Sequence, residues 1–165
     1  MEQRQTEAVT LAKALSIKNR LAGRLSQARA NIETENSVLI GRRDETSEAT
    51  VDVRAEYERL LLLQEGLVTV KAAVQRANAP VYEDVLRLGE KKALIQILNG
   101  LNTKHGSEPG FNGVEYRYSA TLRKPEVLEM VRRLEAEIDQ LQDGLNHFNA
   151  TTTVEIPRGV LDLAR

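Results

Sequence analysis

The sequence predicts an all-α chain, an antiparallel helical bundle or coiled coil of four long helices with a small β-rich insertion. Three observations predict it. Val127, Val131, Leu134, Ile138, Leu141, Leu145 and Phe148 recur at alternating spacings of four and three, the seam of a coiled coil. Two further long stretches carry the same spacing. Between the third and fourth helices, a glycine-rich tract followed by strand formers breaks it. Seven seam side chains at ~1.5–3 kcal/mol each would gain roughly 10–20 kcal/mol on burial, so the last helix calls for apolar partners. At 165 residues, one helical domain over 1–165 is the expectation, with helices at about 6–32, 53–77, 81–101 and 125–148 and the β-rich insertion at about 111–122.

The first helix runs from about Thr6 to Ile32 on the seam Leu11, Ala14, Lys18, Leu21, Leu25, Ala28 and Ile32. Lys18 either packs its stem and snorkels its amine outward, or sets the register at a cost in stability. This helix is basic, through Lys13, Lys18, Arg20, Arg24 and Arg29, whereas the last helix is acidic. Arg24 and Arg29 flank one seam, Glu135 and Glu137 the other, and flanking charges select partners in helical pairs. Interhelical pairing of these four residues, within or between subunits, is therefore expected.

Asn36 to Val51 reads as a connector, because Gly41-Arg42-Arg43-Asp44 and a Thr/Ser/Glu run break the period. Ser37 to Ile40 is long enough for a short strand. Arg42-Arg43 could hold an anion or simply form a solvated turn.

The second helix has the seam Leu60, Leu63, Leu67, Val70, Val74 and Ala77, widened by Tyr57, Leu61 and Val68. A stripe this broad implies more than one neighbour. Asn78-Ala79-Pro80 stops it. The third helix is apolar around most of its circumference near Leu94, Ile95, Ile97, Leu98 and Leu101, and is expected to be the best buried. The predicted core is Leu21, Leu25, Leu63, Leu67, Val70, Leu94, Leu98, Leu134, Ile138, Leu141 and Leu145.

From His105 to Gly113 the chain is rich in glycine, and Val114 to Leu122 in strand formers, with Val114, Tyr116, Tyr118, Ala120 and Leu122 on one face. A lone hairpin is marginal in water, so it should lie on the helices or pair with another chain. Pro125 suits a first helical turn, with Glu126 and Glu129 near the positive dipole end. Val154 to Pro157 is β-branched enough for a further strand, and Gly159 to Arg165 is expected to fray or form a short turn. Leu63-Gln64-Glu65-Gly66-Leu67 echoes Leu141-Gln142-Asp143-Gly144-Leu145, which sets Gly66 and Gly144 on equivalent faces. Close backbone approach, an old duplication and chance all remain open.

With 23 Lys+Arg against 24 Asp+Glu there is no global field for nucleic acid or anionic membrane. The absence of cysteine excludes disulfides, thiol catalysis and cysteine metal sites. The opening Met1-Glu2-Gln3-Arg4 does not resemble a signal peptide, and the longest aliphatic run, Leu60 to Leu63, is far short of a membrane span. A soluble cytoplasmic protein is the simplest expectation. Asp139, Asp143 and His147 share a helix face that could offer three metal ligands, but a Zn site would need better convergence and a second shell, and a solvated face is the better reading. No phosphate loop or nucleophile elbow occurs, so no catalytic, cofactor-binding or metal residue is assigned.

Three stretches resemble one bacterial family. LEAEIDQLQDGLNHFNATTTV (134–154) is similar to the C-terminal helix and tail of an uncharacterised coiled-coil family sometimes labelled septicolysin. KALSIKNRLAGRLSQARANI (13–32) resembles its first helix, and VQRANAPVYEDVLRLGEKKALIQIL (74–98) its middle block. In that family the tail's aromatic usually follows the Asn, whereas here Phe148 precedes Asn149. The resemblance implies a helical fold and a homo-oligomer, with no catalytic residues to carry over. A structural or adaptor protein acting through protein contacts is the expected function. The alternatives are a membrane-active protein, as the family label suggests, and a weak nucleic-acid binder using the basic first helix.

Overall fold

The structure, a computed structural model, describes residues 5–37 and 51–165. The expectations for Met1 to Arg4, for a strand within Ser37 to Ile40, and for Arg42-Arg43 lie wholly or largely outside the described residues. The described chain is predominantly helical, at 73%, with two small antiparallel sheets. It divides into two compact units, residues 1–79 with 148–165, and residues 80–147.

The first unit holds β1 (Thr6–Thr10), α1 (Leu11–Glu35), α2 (Val53–Ala77), β4 (Thr153–Pro157) and α5 (Arg158–Leu163). β1 corrects the sequence reading, which began a helix at residue 6. Val9 is buried and pairs with Val154, and Glu7 pairs with Ile156, so this segment is stabilised by cross-strand contacts that helical periodicity does not register. The helix starts where Thr10 takes extended geometry and its hydroxyl accepts from the Lys13 amide at 3.2 Å. The Leu11 amide donates to the Thr152 carbonyl at 2.8 Å, tying the helix start to the chain entering β4.

α1 and α2 run in opposite directions. Asn31, late in α1, donates to Glu56, early in α2, at 3.3 Å. Farther along, the Arg24 guanidinium donates to the Leu163 carbonyl at 3.0 Å, and Leu163 packs against Gly66 of α2. Asp52 caps α2 by accepting from the Arg54 and Ala55 amides. The core between them holds Leu11, Ala14, Ile17 and Leu21 of α1 with Leu63, Leu67, Val70 and Val74 of α2, closed by Val154, Ile156 and Leu161. Leu161 belongs to α5, so residues 158–163 form a packed helix where fraying or a short turn was expected.

The second unit holds α3 (Tyr82–Asn99), β2 (Gly106–Pro109), β3 (Glu115–Tyr118) and most of α4 (Lys124–Thr151). Short 3₁₀ turns at Ala79–Val81 and Phe111–Gly113 precede α3 and join the two strands. α3 and α4 are also antiparallel, since Leu98 packs with Val127 and Val131 at one end while Lys91 pairs with Glu137 farther along. α4 begins one residue before the expected start, and Glu126 reaches back to accept from the Arg123 amide at 2.8 Å. It also runs on to Thr151, past the expected stop at 148. The β-rich insertion lies at 106–118, shifted toward the N-terminus from 111–122, because the glycine-rich segment itself becomes β2.

The expected seam of α4 serves two cores. Val127, Val131 and Leu134 pack in the second unit, whereas Phe148 packs in the first.

Candidate interaction surfaces

The chemistry-bearing groups found in the sequence take part in structural contacts. Arg24, expected to flank a pairing seam, holds the C-terminal end of α5 through the Leu163 carbonyl. Arg29 forms an ion pair at 2.7 Å with Glu33 one turn on, and that hydrogen bond raises the guanidinium above its ordinary range. Glu137 pairs with Lys91 of α3, and Glu135 is exposed. Within one chain, Arg24 and Arg29 thus contact the end of α5 and Glu33, and Glu137 contacts Lys91; pairing of α1 cations with α4 acids between subunits stays an expectation. The Arg29–Glu33 contact, one turn away, costs little chain entropy.

Of the predicted core, Leu21, Leu63, Leu67, Val70, Leu98 and Ile138 are buried, while Leu25, Leu134, Leu141 and Leu145 are half-buried. Leu94 is 43% exposed in the single chain. It lies off the line through Lys91, Ile95 and Leu98 that faces α4. α3 also departs from its expectation as the best-buried helix, because Leu98 is its one buried residue.

That leaves an apolar face on α3. Tyr82, Leu86, Gly89, Ala93 and Ile97 follow one another at spacings of four, three, four and four, which keeps them on one stripe. All are exposed, Ile97 at 63%, and a Cβ on Gly89 would meet nothing within 4 Å. Val85 and Leu94 widen the stripe, and Leu101 follows just past the end of the helix. α2 has a counterpart: Tyr57, Leu61 and Val68, which made its sequence stripe too wide for one neighbour, point away from the α1 core and are exposed. A soluble chain rarely leaves contiguous apolar surface of this kind without a use for it.

The hairpin is exposed along most of β3. Phe111 at its tip is 84% exposed, Val114 53% and Tyr116 49%. Lys104 braces one face. Its ammonium lies 5.0 Å from the Tyr118 ring centroid and 2.6 Å from Glu108, whose hydrogen bond raises the lysine above its ordinary range. Gly110 is required at the turn, since a Cβ there would overlap the Tyr116 ring and stand 2.6 Å from the Val114 carbonyl oxygen.

A cleft of about 480 Å³ between α2 and α5 is lined by Leu62, Gly66, Val160 and Leu163, with Glu65 and Arg158 at its polar positions. Gly66 shows the close approach suspected from the sequence, with a notional Cβ 3.4 Å from Leu163 and 3.5 Å from Val160. Its echo Gly144 has open space around it, so the likeness between the two segments does not extend to packing.

Among the described residues no group of three or more His, Asp or Glu is arranged to hold a metal ion, so Asp139, Asp143 and His147 do not form such a cluster. No described helix is long and apolar enough to cross a membrane. No protein-family model, curated protein or solved structure matches this chain.

Proposed function

We propose that this is a structural or adaptor-type protein of the cytoplasm, working as a homo-oligomer through protein contacts, whose helices complete an antiparallel bundle or coiled coil when copies associate. The exposed apolar face of α3 carries this reading. Tyr82, Val85, Leu86, Leu94 and Ile97 of α3, with Leu101 just past its end, are between 40% and 63% exposed. Burying what remains of six such side chains would recover roughly 4–9 kcal/mol per protomer at ~1.5–3 kcal/mol for each full burial. Doubled across a symmetric contact, that is comparable with or larger than the ~4–15 kcal/mol lost on association. The small residues Gly89 and Ala93 at the middle of the stripe let a second helix come close, and neither α3 nor α2 needs its outer apolar face for its own core.

Light scattering coupled to size exclusion tests the reading. A mass of at least two chains at micromolar concentration is expected, and a single-chain mass up to the highest soluble concentration would overturn it.

A further inference from the structure

The hairpin leaves one strand edge open. β3 pairs with β2 in a sheet of two strands, so among the described residues its other edge carries backbone groups with no strand beside them. The register identifies those groups. The Gly110 amide donates to the Val114 carbonyl at 2.6 Å, which makes these residues a hydrogen-bonded pair. Antiparallel ladders alternate, so Tyr116 and Tyr118, opposite Glu108 and Gly106, also turn their backbone groups toward β2. Glu115 and Arg117 turn theirs outward. On β2, the position opposite Glu115 is Pro109, which has no N–H to offer an incoming strand. The proline blunts the β2 edge, and the β3 edge keeps both donors and acceptors.

We infer that β3 is a docking edge for the β3 strand of a second copy of this chain, paired antiparallel about Tyr116. This rests on the self-association proposed above and names one seam of it. The segment Val114-Glu115-Tyr116-Arg117-Tyr118 is complementary to itself when reversed. Centred on Tyr116, Glu115 lies opposite the second copy's Arg117 and Arg117 opposite its Glu115, so both charged pairs attract. On the other face Tyr116 meets its own counterpart, and Val114 meets Tyr118 on each side. The backbone agrees with the charges. The two Glu–Arg pairs fall at hydrogen-bonded positions, where each residue's outward N–H and C=O find partners, and the central tyrosines fall at a non-hydrogen-bonded position, where side chains come closest. Alternative registers are worse. A slip of one residue sets an outward group opposite an inward one, and a slip of two sets Glu115 on Glu115 or Arg117 on Arg117.

The chain has no cysteine, so introduced thiols report the register directly. Residues directly opposite at a non-hydrogen-bonded position have Cα atoms about 4.5 Å apart, within disulfide reach. Under mild oxidation Tyr116→Cys is expected to form a disulfide-linked dimer roughly tenfold faster than Glu115→Cys, whose two copies lie out of register. Independently, Glu115→Arg alone and Arg117→Glu alone should each weaken self-association roughly tenfold, and the double exchange should restore it to within about threefold of the original chain. Equal crosslinking at positions 115 and 116, or a double exchange as weak as the single ones, overturns the docking edge. If the unmodified chain still scatters as an oligomer in that case, the self-association reading stands and the edge alone fails. A single-chain mass removes both.

Discussion

Replacing Leu86 and Ile97 together by glutamate separates a used apolar face from an idle one. Both residues lie on the outer stripe of α3, 52% and 63% exposed, and neither belongs to the core of Leu98, Val127 and Val131. Glutamate is a good helix former, so the stability of the isolated chain should change by no more than about 0.5 kcal/mol per site. Association should respond differently. The half of each side chain still open to water represents roughly 2–3 kcal/mol per protomer for the pair of residues. A symmetric contact loses that twice and must also desolvate carboxylates, so an association constant lower by at least roughly a hundredfold is expected. Light scattering over a concentration series reads the loss, and circular dichroism melts of the dilute protein read the retained fold. An oligomer of unchanged size and affinity would refute the reasoning, as would a large loss of helicity in the dilute state, since that would place these side chains inside the fold.

Other substitutions test the elements one at a time. Leu21→Ala, at a fully buried position of the α1–α2 core, should cost about 2–5 kcal/mol in chemical denaturation. Gly144→Ala, in an open helical position, should stabilise by about 1 kcal/mol, visible as a higher melting temperature. Gly66→Leu should instead push Leu163 and Val160 off α2 and cost about 1–3 kcal/mol, with α5 amides losing protection from hydrogen exchange. Gly110→Ala should open the hairpin and collapse the chemical-shift dispersion of Tyr116 and Tyr118 while the helices stay intact. The raised Lys104 supports the hairpin while it is charged. That support is complete below the ordinary lysine range and is lost as pH rises through the raised value, so the Glu108 side-chain carboxyl carbon resonance should shift on strong alkalinisation and Lys104→Met should abolish that shift.

Helices were legible where one apolar stripe meets one neighbour. The seams of α1 and α2 gave their span within a few residues, and Asp52 and Asn78 mark the ends of α2 as capping chemistry requires. Residues 6–10 were not legible as a strand, because the partner that stabilises them, β4, lies nearly the whole chain away in sequence. β2 was missed for a similar reason: Gly106-Ser107-Glu108-Pro109 has little strand propensity, and its ladder with β3 stabilises it. The sequence showed a wide stripe on α2 and apolar residues around most of α3, but the inference that α3 is therefore the best-buried helix did not follow. Width on a helix records how many surfaces the side chains prefer to meet, and a single chain need not supply them all. The reverse complementarity of residues 114–118 was present in the sequence. It acquires meaning only once the register shows that Glu115 and Arg117 turn outward and Pro109 blunts the opposite edge.

Sedimentation equilibrium of the unmodified chain, from sub-micromolar to about a hundred micromolar, addresses self-association most directly. The account predicts reversible, concentration-dependent mass reaching at least two chains. A mass of one chain throughout that range would contradict it.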